Sequence, residues 1–173
     1  MKRPNFLFIM TDTQATNMVG CYSGKPLNTQ NIDSLAAEGI RFNSAYTCSP
    51  VCTPARAGLF TGIYANQSGP WTNNVAPGKN ISTMGRYFKD AGYHTCYIGK
   101  WHLESLPTGF DHWEIVPGPG GYYNPAFIRQ TGDTVRSEGY ITNLITDKSL
   151  DWLRSGRDPE KPFCLLVHHK AQH

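Results

Sequence analysis

Long hydrophobic runs are missing from this chain. Near the N-terminus only Phe6–Met10 is unbroken, far short of the ~18 apolar residues that a membrane-crossing helix needs. That run is also too short for the core of a secretory leader, and no small-residue cleavage site follows it. The expectation is a cytoplasmic protein without a membrane partner. One-sided charge is missing too. Sixteen basic residues stand against thirteen acidic ones, a formal charge of +3 with no Lys/Arg cluster, so no nucleic-acid surface is expected. A disulfide framework is absent as well: five cysteines are an odd number, widely scattered. Cys48 and Cys52 are four apart, not the two-residue gap of zinc or redox pairs. Cys21, Cys48, Cys96 and Cys164 are therefore read as reduced packing residues. There is no internal repeat and no low-complexity tract.

What is present is core-forming material. Thirty-nine per cent of the 173 residues are apolar and 12% aromatic, enough for one folded domain. Asn5–Met10 reads as a strand buried on both faces, and Lys161–His169 as another. Ile40–Thr47 and His94–Gly99 also have strand character. Helices are expected over Asn31–Gly39, Cys52–Phe60, Ile81–Tyr93 and Tyr140–Gly156. Leu103 to about Gly139, rich in Gly, Pro and aromatics, reads as a long ordered loop. Strands alternating with helices imply an α/β fold, a mostly parallel sheet flanked by helices on both faces. The chain stops four residues beyond an inner-type strand, so the sheet is expected to be incomplete at the C-terminus.

Open α/β sheets bind ligands beyond the carboxyl ends of their strands. Four polar groups fall on that rim: Asp12 after the first strand, Cys52 and Arg56 at a helix start, Lys100 and His102 after "HTCYIG", and the histidine cluster after the last strand. Cys52 and Arg56, four apart, share a helix face. A helix N-terminus with nearby cations suits an anionic ester, sulfate or phosphate. Each residue has a plainer reading: a packed thiol at Cys52, a surface ion pair at Arg56, solvated loop residues at Lys100 and His102, a turn cap at Asp12. Strand alternation sends His168 and His169 to opposite faces, so at least one of them is structural. The aromatic loop Pro117–Phe127 reads either as a sugar cleft or as structural filling.

"CTPAR" at Cys52–Arg56, continued by "AGLFTG", resembles the Cys-x-Pro-x-Arg signature of the sulfatases. "PNFLFIMTDTQ", "GYHTCYIGKWHL" and "KPFCLLVHHKAQH" are similar to the same family. The resemblance covers the whole chain and implies that residues 1–173 are the N-terminal portion of a sulfatase catalytic domain. It implies hydrolysis of a sulfate ester, such as that of a sulfated sugar or small molecule, through formylglycine made from Cys52 by a maturation enzyme. On that pattern Arg56 holds the nucleophile's oxygens, Lys100 binds sulfate and His102 supports the diol. His173 faces the leaving group, with Lys170 beside it on the substrate. Asp12 and position 52 bind a divalent ion, Ca2+ on the family pattern. The chain departs from the pattern at Thr13, where the family has a second Asp, and at Gln172, where proline is usual. The family's distal metal ligands would lie beyond residue 173. Two competing readings follow: a phosphonate monoester or phosphodiester hydrolase of the same superfamily, and a truncated, inactive sulfatase-like module.

Overall fold

The computed structural model describes residues 3–78 and 80–173; Met1 and Lys2, which open the segment read for a leader, lie outside it. Its centre is a six-stranded sheet in the order β1-β6-β2-β3-β4-β5. The strands are β1 (Phe6–Met10), β2 (His94–Lys100), β3 (His112–Val116), β4 (Ala126–Arg129), β5 (Thr134–Arg136) and β6 (Phe163–His168). β1, β6, β2 and β3 run parallel, while β4 and β5 fold back antiparallel. Among the described residues six α-helices accompany them: α1 (Gly20–Ser23), α2 (Gln30–Glu38), α3 (Cys52–Thr61), α4 (Ala65–Ser68), α5 (Met84–Asp90) and α6 (Ile141–Asp151), the last continued by a π turn over Trp152–Gly156. The sheet is mostly parallel and the fold α/β, as expected.

Alternation along the two central strands splits the core in two. Tyr97 of β2 and Cys164 and Leu166 of β6 face Ala57 and Phe60 of α3, with Met84 and Phe88 of α5 at the margin. Cys96 and Ile98 of β2 and Leu165 and Val167 of β6 face Ile141 and Ile145 of α6. Helices thus cover both faces. α3 begins at Cys52, with Pro54 in its first turn where a missing N–H costs nothing. It ends at Gly62, whose φ of +69° closes the helix in the left-handed region.

Four expectations need correction. The Leu103–Gly139 segment holds three strands, β3 to β5, rather than one loop. Their runs of three to five residues are too short for periodicity to stand out among the turn residues. Ile40–Thr47 forms no strand; Ile40, Phe42 and Tyr46 are exposed and have no sheet neighbour. β1 forms but is not buried on both faces. It is the sheet's edge, and Phe6, Leu7, Phe8 and Ile9 are 38–58% exposed. The apolar side of α2 is likewise open at Ile32 and Leu35. Finally, Cys48 is exposed rather than packed, whereas Cys96 and Cys164 are buried; all five cysteines are free thiols.

Candidate active site

The parallel strands end on one rim, and their last residues deliver the polar groups. Lys100 is the final residue of β2 and is fully buried, 0% exposed. Its ammonium donates to the Asp12 carboxylate, carried just beyond β1. The same Nζ lies 3.7 Å from Cys52 Sγ at the N-terminus of α3. One turn along that helix, Arg56 is 3% exposed and its Nη2 is 3.7 Å from the Asp12 carboxylate. Two buried cations therefore converge on one carboxylate beside the Cys52 sulfur. The readings of Arg56 as a surface pair and Lys100 as a solvated loop residue fall to this burial. Cys52 is half-buried and lines a cavity of about 780 Å³ with Asp12 and Arg56.

Arg56 is also the keystone of the wall beneath. Its Nη1 donates to the Lys100 carbonyl at 2.6 Å and lies 3.1 Å from His168 Nδ1. The Tyr97 hydroxyl donates to that same carbonyl, and burial pushes its acidity well out of reach. Because arginine is always charged, His168 must present Nδ1 as an acceptor. Burial first, and then the Arg56 charge, holds His168 well below the ordinary imidazole range. Folding thus favours the neutral ring, and the unfolded chain takes up a proton near pH 6.5 that the folded chain refuses. Stability is full above that pH and falls below it, by up to about 1.4 kcal/mol per pH unit for this one group. The urea midpoint is expected to hold from pH 8 to 7 and to drop between pH 6.5 and 5. A flat midpoint across the lower interval would reject the buried neutral histidine.

The last segment folds back over the pocket. Asp12 and Gln172 are tied through their backbones, and the His169 N–H donates to the Met10 carbonyl. This brings His173 to the rim, where its Nδ1 sits 2.9 Å from Thr13 Oγ1. Donor atoms of Asp12, Cys52 and His173 all lie within 4.8 Å of one another. Lys170 is buried nearby with its ammonium over the Tyr122 ring at 4.7 Å. Burial and the Lys100 charge lower its pKa, against an opposing pull from Asp12 and Cys52. Tyr122 also donates to the His173 carbonyl.

His102 follows two residues after Lys100. It lines a neighbouring cleft of about 330 Å³ with Trp101 and Leu103, not the cavity that holds Cys52. Its backbone takes a φ of +53°, and its carbonyl accepts from Thr53 Oγ1 at 2.9 Å. Burial, then the Lys100 and Arg56 charges, hold its ring below the ordinary value. Sequence reasoning missed Thr53, which ties His102 to the start of α3 and whose N–H donates to Asn73 Oδ1 at 3.0 Å. It also missed Tyr97 and Tyr122, whose polar ends no spacing rule singles out.

A helix N-terminus bearing a sulfur, flanked by buried cations at the carboxyl rim of a parallel sheet, is an arrangement whose charge and N–H groups suit an anion. The family model described as Sulfatase matches residues 4–173, and the chain belongs to that family. It is 98% identical to the uncharacterized sulfatase YidJ of Escherichia coli (strain K12), covering all of this chain and 39% of that protein. An N-acetylglucosamine-6-O-sulfatase of Bacteroides thetaiotaomicron is 42% identical, over 99% of this chain and 31% of its own length. A solved structure in complex with its substrate D-glucosamine-2-N,6-O-disulfate superposes with a TM-score of 0.95 at 42% identity, covering 99% of this chain and 35% of that one. The chain thus spans about a third of the length of these relatives. Among the described residues, no helix is long and apolar enough to cross a membrane.

Proposed function

We propose that this chain carries the nucleophile and anion-binding half of a sulfatase that hydrolyses the sulfate ester of a sugar. The observation that carries the reading is the placement of Cys52 Sγ 3.7 Å from the buried Lys100 ammonium, with Arg56 and Asp12 in the same pocket. The sugar is favoured because the similar proteins described above act on, or are bound to, sulfated glucosamines. Formylglycine at position 52, if made there by a maturation enzyme, would supply a hydrated aldehyde as the nucleophilic oxygen. The Asp12 carboxylate and the oxygen that formylglycine would carry at position 52, whose donor atoms lie close together, would suit a hard divalent ion such as Ca2+, though one carboxylate is few for such a shell. An ion held there would polarise the sulfate oxygens.

The chain's own side chains do the rest. The Lys100 ammonium faces the sulfur position and neutralises charge that grows on the sulfate oxygens in the transition state. Arg56, locked by its bonds to the Lys100 carbonyl and His168, holds the nucleophilic oxygen from the next turn of α3. His173 is tied to Thr13 through Nδ1, which leaves Nε2 free to give a proton to the departing sugar oxygen. Lys170, over the Tyr122 ring, binds the substrate's remaining negative charge. His102, on the loop just after β2 and within reach of the Lys100 and Arg56 charges, supports the diol at residue 52.

Co-expression with a formylglycine-generating enzyme is expected to lower the intact mass by about 18 Da at Cys52, the change of a thiol into an aldehyde at that residue. The Cys52→Ala chain should show no such loss. An unmodified thiol under those conditions would sink the reading. Thr13, in the place of a second carboxylate, favours one competitor, a phosphonate monoester hydrolase. Faster turnover of an aryl phosphonate monoester than of an aryl sulfate, in a chain extended to the family's full length, would make that competitor the answer.

A further inference from the structure

The helix that presents residue 52 begins against the usual rule. Its N-cap is Val51, which makes no side-chain cap, and valine is among the poorest N-caps. Pro54 in the first turn has no N–H to leave unsatisfied. The Thr53 N–H does need a partner, because Thr53 is 0% exposed and water does not reach it. It donates to Asn73 Oδ1 at 3.0 Å, twenty residues further along the chain. Asn73 sits in the connection between α4 and α5, in a loop over residues 69–78 closed at its base by the Gly78 N–H donating to the Ser68 carbonyl at 3.0 Å. A distant carboxamide thus does what a local side chain does for most helices.

The other end of Thr53 holds a second loop. Its Oγ1 donates to the His102 carbonyl at 2.9 Å. That loop does not rest on its own backbone preference. His102 and Glu104 take φ values of +53° and +35°, a region that residues with side chains keep only where their surroundings impose it. Thr53 is therefore a junction. Its amide is fixed from the 69–78 loop, and its hydroxyl fixes the segment that follows Lys100. Cys52 is its immediate neighbour in the chain.

We propose that Asn73 and Thr53 are positioning residues for the anion pocket, a clamp that sets residue 52 against Lys100 and His102 without bringing charge. Neutrality is the part that a purely structural cap would not need. Aspartate caps helices as well as asparagine does, and the helix dipole favours it. A carboxylate in the place of Asn73, however, would stand at the helix end that the anion approaches and would repel it. A carboxamide satisfies the same N–H and leaves the field of Lys100 and Arg56 intact. That the anion is a sulfate ester rests on the proposed function; the clamp and its effect on anion binding do not.

Calorimetric titration of the 173-residue chain with inorganic sulfate, beside its Tm, tests the clamp. Thr53→Val, nearly isosteric, is expected to weaken sulfate binding about fivefold or more, as the loss of one fixed hydrogen bond should. Thr53→Ser keeps the hydroxyl and should stay within about twofold of the parent. Asn73→Asp separates the two roles. Its Tm should lie within about 3 °C of the parent or above it, while sulfate affinity falls about tenfold. An Asn73→Asp chain that binds sulfate as the parent does overturns the inference, and so does a folded Thr53→Val chain that does the same. A parent chain that takes no sulfate at about 20 mM, where even a weak site fills, overturns it as well. If Thr53→Val fails to fold, Asn73→Asp still decides. Sulfate affinity that falls in Asn73→Asp, in a protein that never converts Cys52 or cleaves a sulfate ester, would leave the clamp standing and reject the proposed function. Conversion and ester turnover with both variants indifferent would do the reverse.

Discussion

Gly99→Ala is expected to destabilise the chain severely. Gly99 is the next-to-last residue of β2 and pairs with His168 of β6 in the middle of the sheet. Its φ of +117° is backbone that side-chain-bearing residues rarely adopt. A Cβ built there would lie 2.0 Å from the His168 carbonyl oxygen, a backbone atom with no freedom to withdraw. Strain of this type costs of order 1–3 kcal/mol, and forcing two central strands apart adds overpacking of similar size. The sum, about 4 kcal/mol or more, belongs to the rare tail of single substitutions. A chain of this size loses about 2–4 °C of Tm per kcal/mol, so a drop of at least about 8 °C is expected by circular dichroism. A Tm within about 3 °C of the parent, less than the shift of a single misplaced contact, would show that β2 and β6 are not spaced as described. The position matters for function because Gly99 immediately precedes Lys100 at the end of β2.

That dependence also separates what the sequence exposes from what it hides. β2, β6, α3 and α6 were legible because each carries a full stretch of one period bounded by a clear stop. β3 to β5 were hidden by brevity, since strands of three to five residues between glycines and prolines carry no periodic signal. β1 and Ile40–Thr47 misled for a different reason. Apolar residues report that a segment seeks cover, not that cover exists, and Phe6–Ile9, Ile40 and Phe42 remain open. The site was more legible than the fold. Asp12, Cys52, Arg56 and Lys100 each follow a strand or open a helix, so the topology alone gathers them. His102 stands two residues after Lys100, takes a φ of +53° and lines the adjoining cleft. No sequence rule foresees that turn. Thr53 and His168 act through long-range partners, which a linear reading cannot pair.

Lys100→Met is expected to abolish catalysis while sparing most of the stability. The two effects separate because the scaffold uses the backbone of Lys100 and the chemistry uses its side chain. Arg56 and Tyr97 both donate to the Lys100 carbonyl, which any residue at this position retains. Methionine fills the slot vacated by the alkyl stem and brings no charge. Asp12 then loses its closest cation but keeps Arg56 at 3.7 Å, and at 12% exposure it retains some solvent. The folding cost should therefore fall to about 1–3 kcal/mol, below the 3–5 kcal/mol usual when one partner of a fully buried pair is removed. Losing a fixed donor to a developing oxyanion costs about 10²–10³ in rate. Here the loss should reach the upper end, because the ammonium both faces residue 52 and sets the Asp12 carboxylate. Lys100→Arg should not rescue, since a planar guanidinium needs more room than a fully buried ammonium leaves. In a chain extended to the family's full length, kcat/KM for an aryl sulfate should fall about 10³-fold with the fall mainly in kcat. Calorimetry on the 173-residue chain should show weaker binding of free sulfate by the Lys100→Met variant. A variant that keeps more than about a tenth of the parent kcat/KM, a loss under ~1.4 kcal/mol in the transition state, would remove Lys100 from the sulfate site.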